Sequence, residues 1–348
     1  MVTGHTGFIG GWLCLQLHAL GARIRGFALP PPTQPSFHDW VRVGDLIDGT
    51  TGDIRSHEAL ASSFAEFLPE IIFHLAGQSL VRTGHDDPRS TFAVNVLGTV
   101  NVLEQVRLRG AQAVVVVTSD KVYALRQDGA AATEDDALEA TDPYGASKVG
   151  AEIVTLSYAR SYFAGDKIGV ASIRAGNVIG GGDWANDRLI PDAIRAFRSR
   201  RPLVLRRPHA VRPWQHVLDV VCGMLSVAEA AVREAGPLGA WNLGPSPRPA
   251  IDVLTVARRL AAEWGDGAEI AADAAPAYPE TTLLAIDSSR ARRELSLRTP
   301  WPIEQAIAET ARWYRDVLRG GDARAISERQ LADYHDARRR VAAAAQAT

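Results

Sequence analysis

The stretch GHTGFIG, residues 4–10, places three glycines at the head of an amphipathic helical pattern, Phe8–Leu20. Glycine lets the backbone approach a phosphate closely, and a helix N-terminus presents free N–H groups to negative charge. The stretch therefore predicts a dinucleotide-binding turn that follows a first strand. Only Met1 and Val2 stand where that strand is expected, although about five residues are usual. We expect either a short first strand or a start that lies upstream.

Beyond this turn, short β-branched runs alternate with longer helical periods as far as about residue 175. The predicted strands are Arg23–Leu29, Glu70–His74, Ala113–Thr118 and Lys167–Ile173. The predicted helices are Phe8–Leu20, Ser56–Phe67, Pro88–Arg109 and Tyr144–Tyr162. This order is typical of βαβ units around a parallel sheet. The sequence thus predicts an α/β fold with a Rossmann-type, doubly wound parallel sheet, whose ligands bind at the carboxyl ends of the strands.

The pattern changes after Ile179, where three consecutive glycines lead into a loop rich in arginine and proline. We assign residues 1–178 and 214–245 to a Rossmann domain that binds a dinucleotide. Residues 179–213 and 246–335 are expected to form a smaller C-terminal substrate-binding lobe. Residues 336–348, mostly arginine and alanine, are expected to be a frayed helix or a disordered tail.

Composition excludes several classes of protein. The 348 residues carry a net charge of -2, which leaves no electrostatic footprint for nucleic acid or an anionic membrane. No apolar run approaches the ~18–20 residues needed to cross a bilayer, and the first residues lack a secretory-signal pattern. Two cysteines, and no histidine pair at metal-ligand spacing, argue against disulfides and against a metal site. We expect a cytoplasmic protein that acts on a small molecule.

The strongest chemical signal is Tyr144-x-x-x-Lys148, whose side chains share one face of a predicted helix. A tyrosine needs a nearby cation to lose its proton near neutral pH, and Lys148 could supply that charge. Ser119, Asp120 and Lys121 follow a predicted central strand, at the edge of the sheet where catalysis is expected. The chain has only three lysines, and two of them lie in these two clusters. The alternative is an ordinary exposed pair on a helix.

Three further assignments leave alternatives open. Asp53 and Ile54 could bind an adenine amino group, or Asp53 could be only a helix N-cap. The second predicted strand runs from Ala28 and Leu29 into proline, without the acid that would bind a ribose 2′-hydroxyl, so cofactor choice is not settled there. His216 could contact substrate, although a structural histidine is the favoured interpretation.

These residues resemble the extended short-chain dehydrogenase/reductase superfamily and, within it, the NAD-dependent epimerase/dehydratase family. Over residues 1 to about 335, longer strings are similar to those of sugar-nucleotide 4,6-dehydratases, the CDP-glucose type in particular. The strings are GHTGFIGGWL (4–13), PEIIFHLAGQSLVR (69–82), VTSDKVY (117–123), DPYGASKVGAE (142–152), RAGNVIGGGDWANDRLIPD (174–192) and RPWQHVL (212–218).

The resemblance implies NAD as cofactor, a sugar nucleotide as substrate and a homodimer formed through helices at about 88–109 and 144–162. The implied cofactor-binding residues are Gly4, Thr6, Gly7, Phe8, Ile9, Asp53, Ile54, Leu75, Ala76, Gly77, Asn95, Thr118, Tyr144 and Lys148. The implied substrate-binding residues are Asn177, Arg188, Leu189, Arg206, Arg212 and His216.

The resemblance also implies a reaction, in which Tyr144 assists oxidation at C4 of the sugar and water is then lost across C5 and C6. Asp120 would protonate the departing O6, Lys121 would be or support the base at C5, and Ser119 would bond the C4 hydroxyl. Epimerases of the family usually carry small, non-titrating residues at positions 120 and 121, so this pair favours dehydration. The alternatives are an NDP-hexose epimerase, a dehydratase of another NDP-sugar and a catalytically silent dinucleotide-binding protein.

Overall fold

The structure is a computed structural model, which describes residues 1–124, 129–245, 251–265, 267–272 and 283–346. Two stretches of the expected substrate-binding lobe, 246–250 and 273–282, and the last two residues of the expected tail lie outside the described residues. The division into two domains stays a prediction.

Short strands supply the framework of the fold. They are β1 (Val2–Thr3), β2 (Arg25–Ala28), β3 (Asp48–Thr51), β4 (Ile71–His74), β5 (Ala113–Val117), β6 (Gly169–Ala175), β7 (Val178–Ile179), β8 (Leu203–Leu205), β9 (Val211–Arg212), β10 (Gln215–His216), β11 (Pro237–Leu243), β12 (Ile251–Asp252) and β13 (Ile270–Ala272). In the described chain, the central sheet has seven strands in the order β11-β6-β5-β4-β1-β2-β3. All its neighbouring strands are parallel. The predicted doubly wound parallel sheet is confirmed.

Helices cover both faces of this sheet. They are α1 (Phe8–Ala19), α2 (Phe37–Val41), α3 (His57–Phe67), α4 (Val81–Asp86), α5 (Pro88–Phe92), α6 (Gly98–Arg109), α7 (Pro143–Tyr158), α8 (Ala164–Asp166), α9 (Leu189–Arg198), α10 (Val217–Glu234), α11 (Val253–Trp264), α12 (Ser289–Glu294), α13 (Ile303–Leu318) and α14 (Ala323–Gln346). Single turns of 3-10 helix lie at Val43–Leu46 and Asp120–Val122, and π-helical turns lie at Ala93–Leu97 and Ala159–Phe163. None of the described helices is both long and apolar enough to cross a membrane.

The apolar run of β5 explains why both faces of the sheet are covered by helices. Ala113 and Val115 pack into one apolar layer, whereas Val114 and Val116 pack into the other. A continuous apolar run is typical of a parallel strand that is buried on both faces. Burying each large aliphatic side chain contributes roughly 1.5–3 kcal/mol, so this strand fixes the centre of the fold.

Strand β1 is short, yet it occupies the middle of the sheet. Val2 pairs with Gly26 on one side and with Phe73 on the other, and Thr3 continues both ladders. The strand order reverses between β1 and β4, which is where open α/β sheets bind their ligands. The turn after β1 and the loop after β4 therefore meet at the crevice of the sheet.

Several predicted boundaries need correction. The predicted helix 88–109 consists of α5, a π-helical turn and α6, and the predicted helix 144–162 begins at Pro143 and ends in a second π-helical turn. The strand expected from Lys167 begins at Gly169, because Lys167 has a left-handed φ of 57° where α8 ends. At the C-terminus, the residues expected to form a tail continue α14 as far as Gln346.

Candidate active site

The glycine turn after β1 brings two chain segments into close contact. Gly4 has a φ of +78°, and a Cβ added there would lie 2.7 Å from the amide nitrogen of Ala76, so the turn requires glycine. Gly7 is the N-cap of α1 and provides no side-chain cap, and the first turn of the helix carries no acid. Its uncapped N–H groups fit the pyrophosphate of a dinucleotide. Thr6 closes the turn by donating from Oγ1 to the carbonyl oxygen of Leu29 at 2.9 Å.

Phe8 and Ile9 follow as the first two residues of α1, and both are half-buried. They extend the same edge of the crevice.

The loop after β4, which carries Leu75, Ala76 and Gly77, lies across the crevice from this turn. A Cβ on Gly77 would lie 2.9 Å from Oδ1 of Asn95 and 3.1 Å from Nζ of Lys148. Asn95 is buried and holds the loop through Gln78, whose N–H donates to Oδ1 at 2.8 Å. Its Nδ2 donates to the Gln78 carbonyl at 2.9 Å and to Ser147 Oγ at 2.8 Å. Asn95 thus connects the expected cofactor loop to α7.

Asp53 and Ile54 lie beyond the end of β3. Asp53 is not the N-cap of α3, because Ser56 fills that position by accepting from the Ala59 N–H. The Asp53 carboxylate pairs instead with Arg55, whose hydrogen bonds lower the pKa of Asp53. Ile54 is buried, and its carbonyl oxygen accepts from Nδ2 of Asn101 at 3.0 Å.

Tyr144 and Lys148 lie on α7, and both are buried. Burial raises the pKa of Tyr144, while a hydrogen bond with Ser119 acts in the opposite direction. Burial lowers the pKa of Lys148 to about 8, against the charge of Glu152. Lys148 Nζ donates to the Val117 carbonyl at 3.1 Å, at the end of β5. Helix α7 and the carboxyl end of β5 therefore meet at these side chains.

Asp120 has the most unusual environment of these groups. Ser119 Oγ donates to its Oδ1 at 3.1 Å, whereas its Oδ2 is buried and has no hydrogen-bond partner among the described residues. Burial raises the pKa of Asp120, although the charges of Lys121 and Arg212 oppose that shift. A carboxyl group that favours its protonated form suits proton donation.

Lys121 and Thr118 lie on either side of this pair. Lys121 is only half-buried, and it lines a cavity of about 250 Å³ together with Tyr123, the segment 139–142 and Leu284. Thr118 is buried, and its hydroxyl donates to Glu152 Oε1 at 2.5 Å. Lys121 thus faces a space that a small molecule can enter, whereas Thr118 faces the protein.

The arginines predicted to bind substrate differ in their surroundings. Arg212 is buried, its Nη1 donates to the Val211 carbonyl at 2.8 Å, and its charge acts on Asp120. Arg188 donates from Nη2 to Ser79 Oγ at 3.2 Å, and its charge acts on Tyr144.

The other substrate candidates lie further out. Arg206 is exposed and pairs with Asp187 at 2.9 Å. Leu189 begins α9, and Asn177 follows β6 with its carbonyl oxygen accepting from the Gln215 N–H at 2.9 Å. The structure therefore places Arg188 and Arg212 beside the catalytic candidates, with Arg206 on the exposed surface.

His216 has a structural role in the fold, and its contact with substrate stays a prediction. It is fully buried and is the N-cap of α10, where its Nδ1 accepts from the Leu218 N–H at 3.3 Å. Its ring packs edge-on against Trp301, and burial lowers its pKa to about 3. Sequence alone did not identify the cap, because a capping histidine and a loop histidine have the same local pattern.

Glu152 and Arg174 form a buried ion pair behind the site that the sequence analysis missed. The interval from Lys148 to Glu152 repeats the interval from Tyr144 to Lys148, so helical spacing could have identified Glu152. Arg174 lies on β6 and gave no comparable signal. The described residues contain no group of three or more histidine, cysteine, aspartate or glutamate side chains that could hold a metal ion.

A dinucleotide crevice beside a tyrosine, a lysine and a carboxyl group defines a class of Rossmann enzyme that oxidises and modifies a hydroxylated substrate. In agreement with this geometry, residues 1–244 match the model of the NAD dependent epimerase/dehydratase family. The chain belongs to this family, whose cofactor is NAD.

Individual relatives and a solved structure can be compared with this chain. The chain is 40% identical over 343 residues to CDP-glucose 4,6-dehydratase of Salmonella typhimurium, covering 97% of this chain and 96% of the relative. It is 28% identical over 325 residues to UDP-glucose 4-epimerase of Mycolicibacterium smegmatis, covering 91% and 98%. The solved structure of MoeE5 in complex with UDP-glucose and NAD superposes with a TM-score of 0.78 at 26% identity, covering 91% and 98%.

Proposed function

We propose that this chain is an NAD-dependent sugar-nucleotide 4,6-dehydratase, a hydro-lyase that converts CDP-glucose to CDP-4-keto-6-deoxyglucose and water. The observation that carries the proposal is the buried carboxyl of Asp120 beside Ser119 and Tyr144, since elimination needs an acid that epimerisation does not. The 40% identity to a CDP-glucose 4,6-dehydratase supports both the reaction and the nucleotide.

The cofactor fits the crevice between β1 and β4. The glycine turn and the uncapped N-terminus of α1 would hold the pyrophosphate, and Leu75, Ala76 and Gly77 would form the facing wall. Bound there, NAD would supply the acceptor for the C4 hydride and, once reduced, the donor of the hydride at C6.

The first half of the reaction needs a base at the C4 hydroxyl. Tyr144 would take that proton while Ser119, to which it is hydrogen-bonded, orients the hydroxyl. Lys148 lies one helical turn away and would stabilise the phenolate by its positive charge. Because burial raises the pKa of Tyr144, that charge is needed for the proton to leave near neutral pH.

The second half needs a base and an acid on neighbouring carbons. The ketone at C4 acidifies the C5 proton, which Lys121, or a base that Lys121 supports, would remove. The electron pair would form the C5–C6 double bond as the C6–O bond breaks, and Asp120 would protonate the departing oxygen, which leaves as water. The raised pKa of Asp120 matches that role. Hydride addition at C6 would then leave an enolate, and the proton held by the C5 base would return to C5.

The nucleotide part of the substrate would lie along the arginine-rich loop. Arg212 and Arg188 face the catalytic residues, and Arg206 would contact the diphosphate from the exposed side, since guanidinium groups bind phosphates in a bidentate manner. Asn177 and Leu189 would complete this wall.

The proposed enzyme is a homodimer in the cytoplasm. Support for a dimer comes from a row of exposed apolar side chains on the two long helical segments. The row, which we call the apolar helix face, comprises Phe92, Leu97, Leu108, Ile153, Leu156 and Tyr162. The helical segments that carry these side chains are in contact, and exposed apolar side chains grouped on neighbouring helices are typical of an interface. The free, buried thiols of Cys14 and Cys222 agree with a reducing compartment.

A substrate panel tests the proposal. Purified protein with NAD is incubated separately with CDP-, dTDP-, UDP- and GDP-glucose, and the products are weighed by mass spectrometry. Loss of one water from CDP-glucose alone is the expected result. Loss of water from another nucleotide sugar would assign the specificity to that nucleotide. An unchanged mass with a changed sugar configuration, seen in the proton NMR spectrum of the same product, would favour an epimerase. An unaltered substrate in all four reactions would contradict the proposal.

A further inference from the structure

The buried ion pair between Glu152 and Arg174 lies behind the candidate active site rather than inside it. The side chains of Glu152 and Arg174 are each 6% exposed. Removing two charges from water is costly, and the pair is retained only where hydrogen bonds satisfy its remaining polar atoms. The neighbours that supply those bonds indicate what the pair does.

The carboxylate of Glu152 is saturated by donors from three directions. Its Oε1 accepts from Thr118 Oγ1 at 2.5 Å and from Arg174 Nε at 3.0 Å. Its Oε2 accepts from Ser172 Oγ at 2.7 Å and from Arg174 Nη2 at 3.1 Å. Glu152 belongs to α7, one turn beyond Lys148, so these bonds connect α7 to the ends of β5 and β6.

The guanidinium of Arg174 continues the network on its other side. Nη1 donates to the hydroxyl of Tyr123 at 2.9 Å and to the Glu134 carbonyl at 3.2 Å. The guanidinium carbon lies 4.9 Å from the centroid of the Tyr123 ring. The Tyr123 hydroxyl in turn donates to Asn242 Oδ1 at 2.6 Å, on β11. Tyr123 is therefore held by a hydrogen bond on each side of its hydroxyl group.

Thr118 and Tyr123 are the two ends of one short segment. Between them lie Ser119, Asp120, Lys121 and Val122, and Asp120 and Lys121 supply the acid and the base of the proposed reaction. Glu152 binds the first end and Arg174 binds the second, and the two side chains bind each other. The helix that carries Glu152 also carries Tyr144 and Lys148.

We propose that Glu152 and Arg174 are positioning residues, a clamp that holds both ends of segment 118–123 against α7. The clamp keeps Asp120 and Lys121 in register with Tyr144 and Lys148, so that oxidation at C4 and elimination across C5 and C6 act on one bound sugar. This inference rests on the proposed function for its chemical consequence, but the clamp itself is a property of the fold.

Two variants loosen the clamp at opposite ends. Tyr123→Phe removes one hydroxyl and keeps the ring, and Glu152→Gln removes the charge and keeps the shape. Tyr334→Phe is the matched control, because it also removes a buried hydroxyl, one that donates to Asp219 Oδ1 on α10 at 2.5 Å. The control lowers stability without touching segment 118–123.

The first measurement is hydrogen–deuterium exchange of the peptide that contains residues 118–124, in the NAD-loaded protein without substrate. Amides of this segment are bonded to fixed partners, as from Thr118 N–H to the Ile173 carbonyl at 2.7 Å. We expect faster exchange in this peptide for both clamp variants and unchanged exchange for Tyr334→Phe. Unchanged exchange in Tyr123→Phe would contradict the proposed clamp, even if Glu152→Gln failed to fold.

The second measurement separates the two halves of the reaction in a single turnover with CDP-glucose. We expect water loss to slow about tenfold in Tyr123→Phe while C4 oxidation changes less than about twofold. The variant loosens the end of the segment near Lys121, whereas Thr118 and Glu152 still hold the end near Ser119. Equal slowing of both halves, or wild-type rates in a variant with faster exchange, would overturn the positioning role. If the wild-type protein dehydrates none of the four substrates, the proposed function fails, while the exchange measurement still decides the clamp.

Discussion

The carboxyl of Asp120 has one oxygen bonded to Ser119 and one buried oxygen with no partner among the described residues. Such an orphan atom costs stability, and it is retained where a reacting group needs a partner. We expect Asp120→Asn to keep C4 oxidation and to slow water loss by about 10²–10³-fold, since the amide cannot donate an acidic proton. Stopped-flow absorbance of reduced nicotinamide should then show it accumulating on the enzyme.

The control for this variant is Asp322→Asn, which alters a carboxylate that accepts from the Arg324 N–H at 2.8 Å, at the start of α14. It should leave the ratio of oxidation to water loss unchanged. If Asp120→Asn shows no accumulation of reduced nicotinamide while water loss is slowed, Asp120 is not the acid.

Tyr144 contributes a hydroxyl rather than bulk to the site. Tyr144→Phe keeps the buried ring and should lower kcat about 10³-fold, because the base at the C4 hydroxyl is lost. The affinity for NAD, measured by calorimetry, should change little. Tyr162→Phe, at an exposed ring on the same helical segment, is the control and should retain wild-type turnover. Full activity in Tyr144→Phe would contradict the proposed role of Tyr144 as the base.

Helix α10 begins at a histidine that stays uncharged in the folded protein. The pKa of His216 is lowered to about 3 by burial, so the unfolded chain binds its proton first as the pH falls below 6.5. Stability from this residue is thus present above pH 6.5 and is lost as the pH falls toward 3. Burial raises the pKa of Asp219 to about 7, so protonation of this carboxyl stabilises the folded protein as the pH falls. The effect of His216 is therefore measured as the difference between the wild-type protein and a His216 variant.

We expect His216→Asn to keep the helix cap and to remove this titration, because asparagine is also a good N-cap. Between pH 7 and pH 5 the wild-type free energy of unfolding should fall by about 2 kcal/mol more than that of the variant. Urea denaturation at the two pH values measures the difference. Identical losses in both proteins would show that His216 titrates normally in the folded state.

The elements of the sheet could be predicted because strands buried on both faces are continuous apolar runs, as in Ala113–Val117. The end of α8 could not, since the left-handed φ of Lys167 has no local sequence signal. Tyr144 and Ser119 could be expected to meet because a helix and a strand end converge at one edge of the sheet. The bond from Thr118 to Glu152 joins residues 34 positions apart and depends on packing, which the sequence pattern does not reveal.

The proposed dimer has the apolar helix face as its interface. Ile153 is 59% exposed within it, more than any other member of that row. We expect Ile153→Asp to convert a dimer into a monomer, because a charge opposed to its symmetry mate repels across a two-fold interface. Size-exclusion chromatography with light scattering measures the mass. Leu20→Asp, at a 64% exposed leucine after α1, is the control and should leave the mass unchanged. A wild-type monomer would contradict the proposed dimer.

Because the chain has only three lysines, their side chains can be observed individually by NMR. Its three lysine side chains differ in access, since Lys167 is exposed, Lys121 is half-buried and Lys148 is buried. Reductive methylation with isotope-enriched formaldehyde would therefore label Lys167 first, Lys121 next and Lys148 last, each as a separate methyl resonance. Two of the three lysine signals would come from the candidate active site, so one spectrum, to which the α-amino group of Met1 adds its own resonance, could follow ligand binding there.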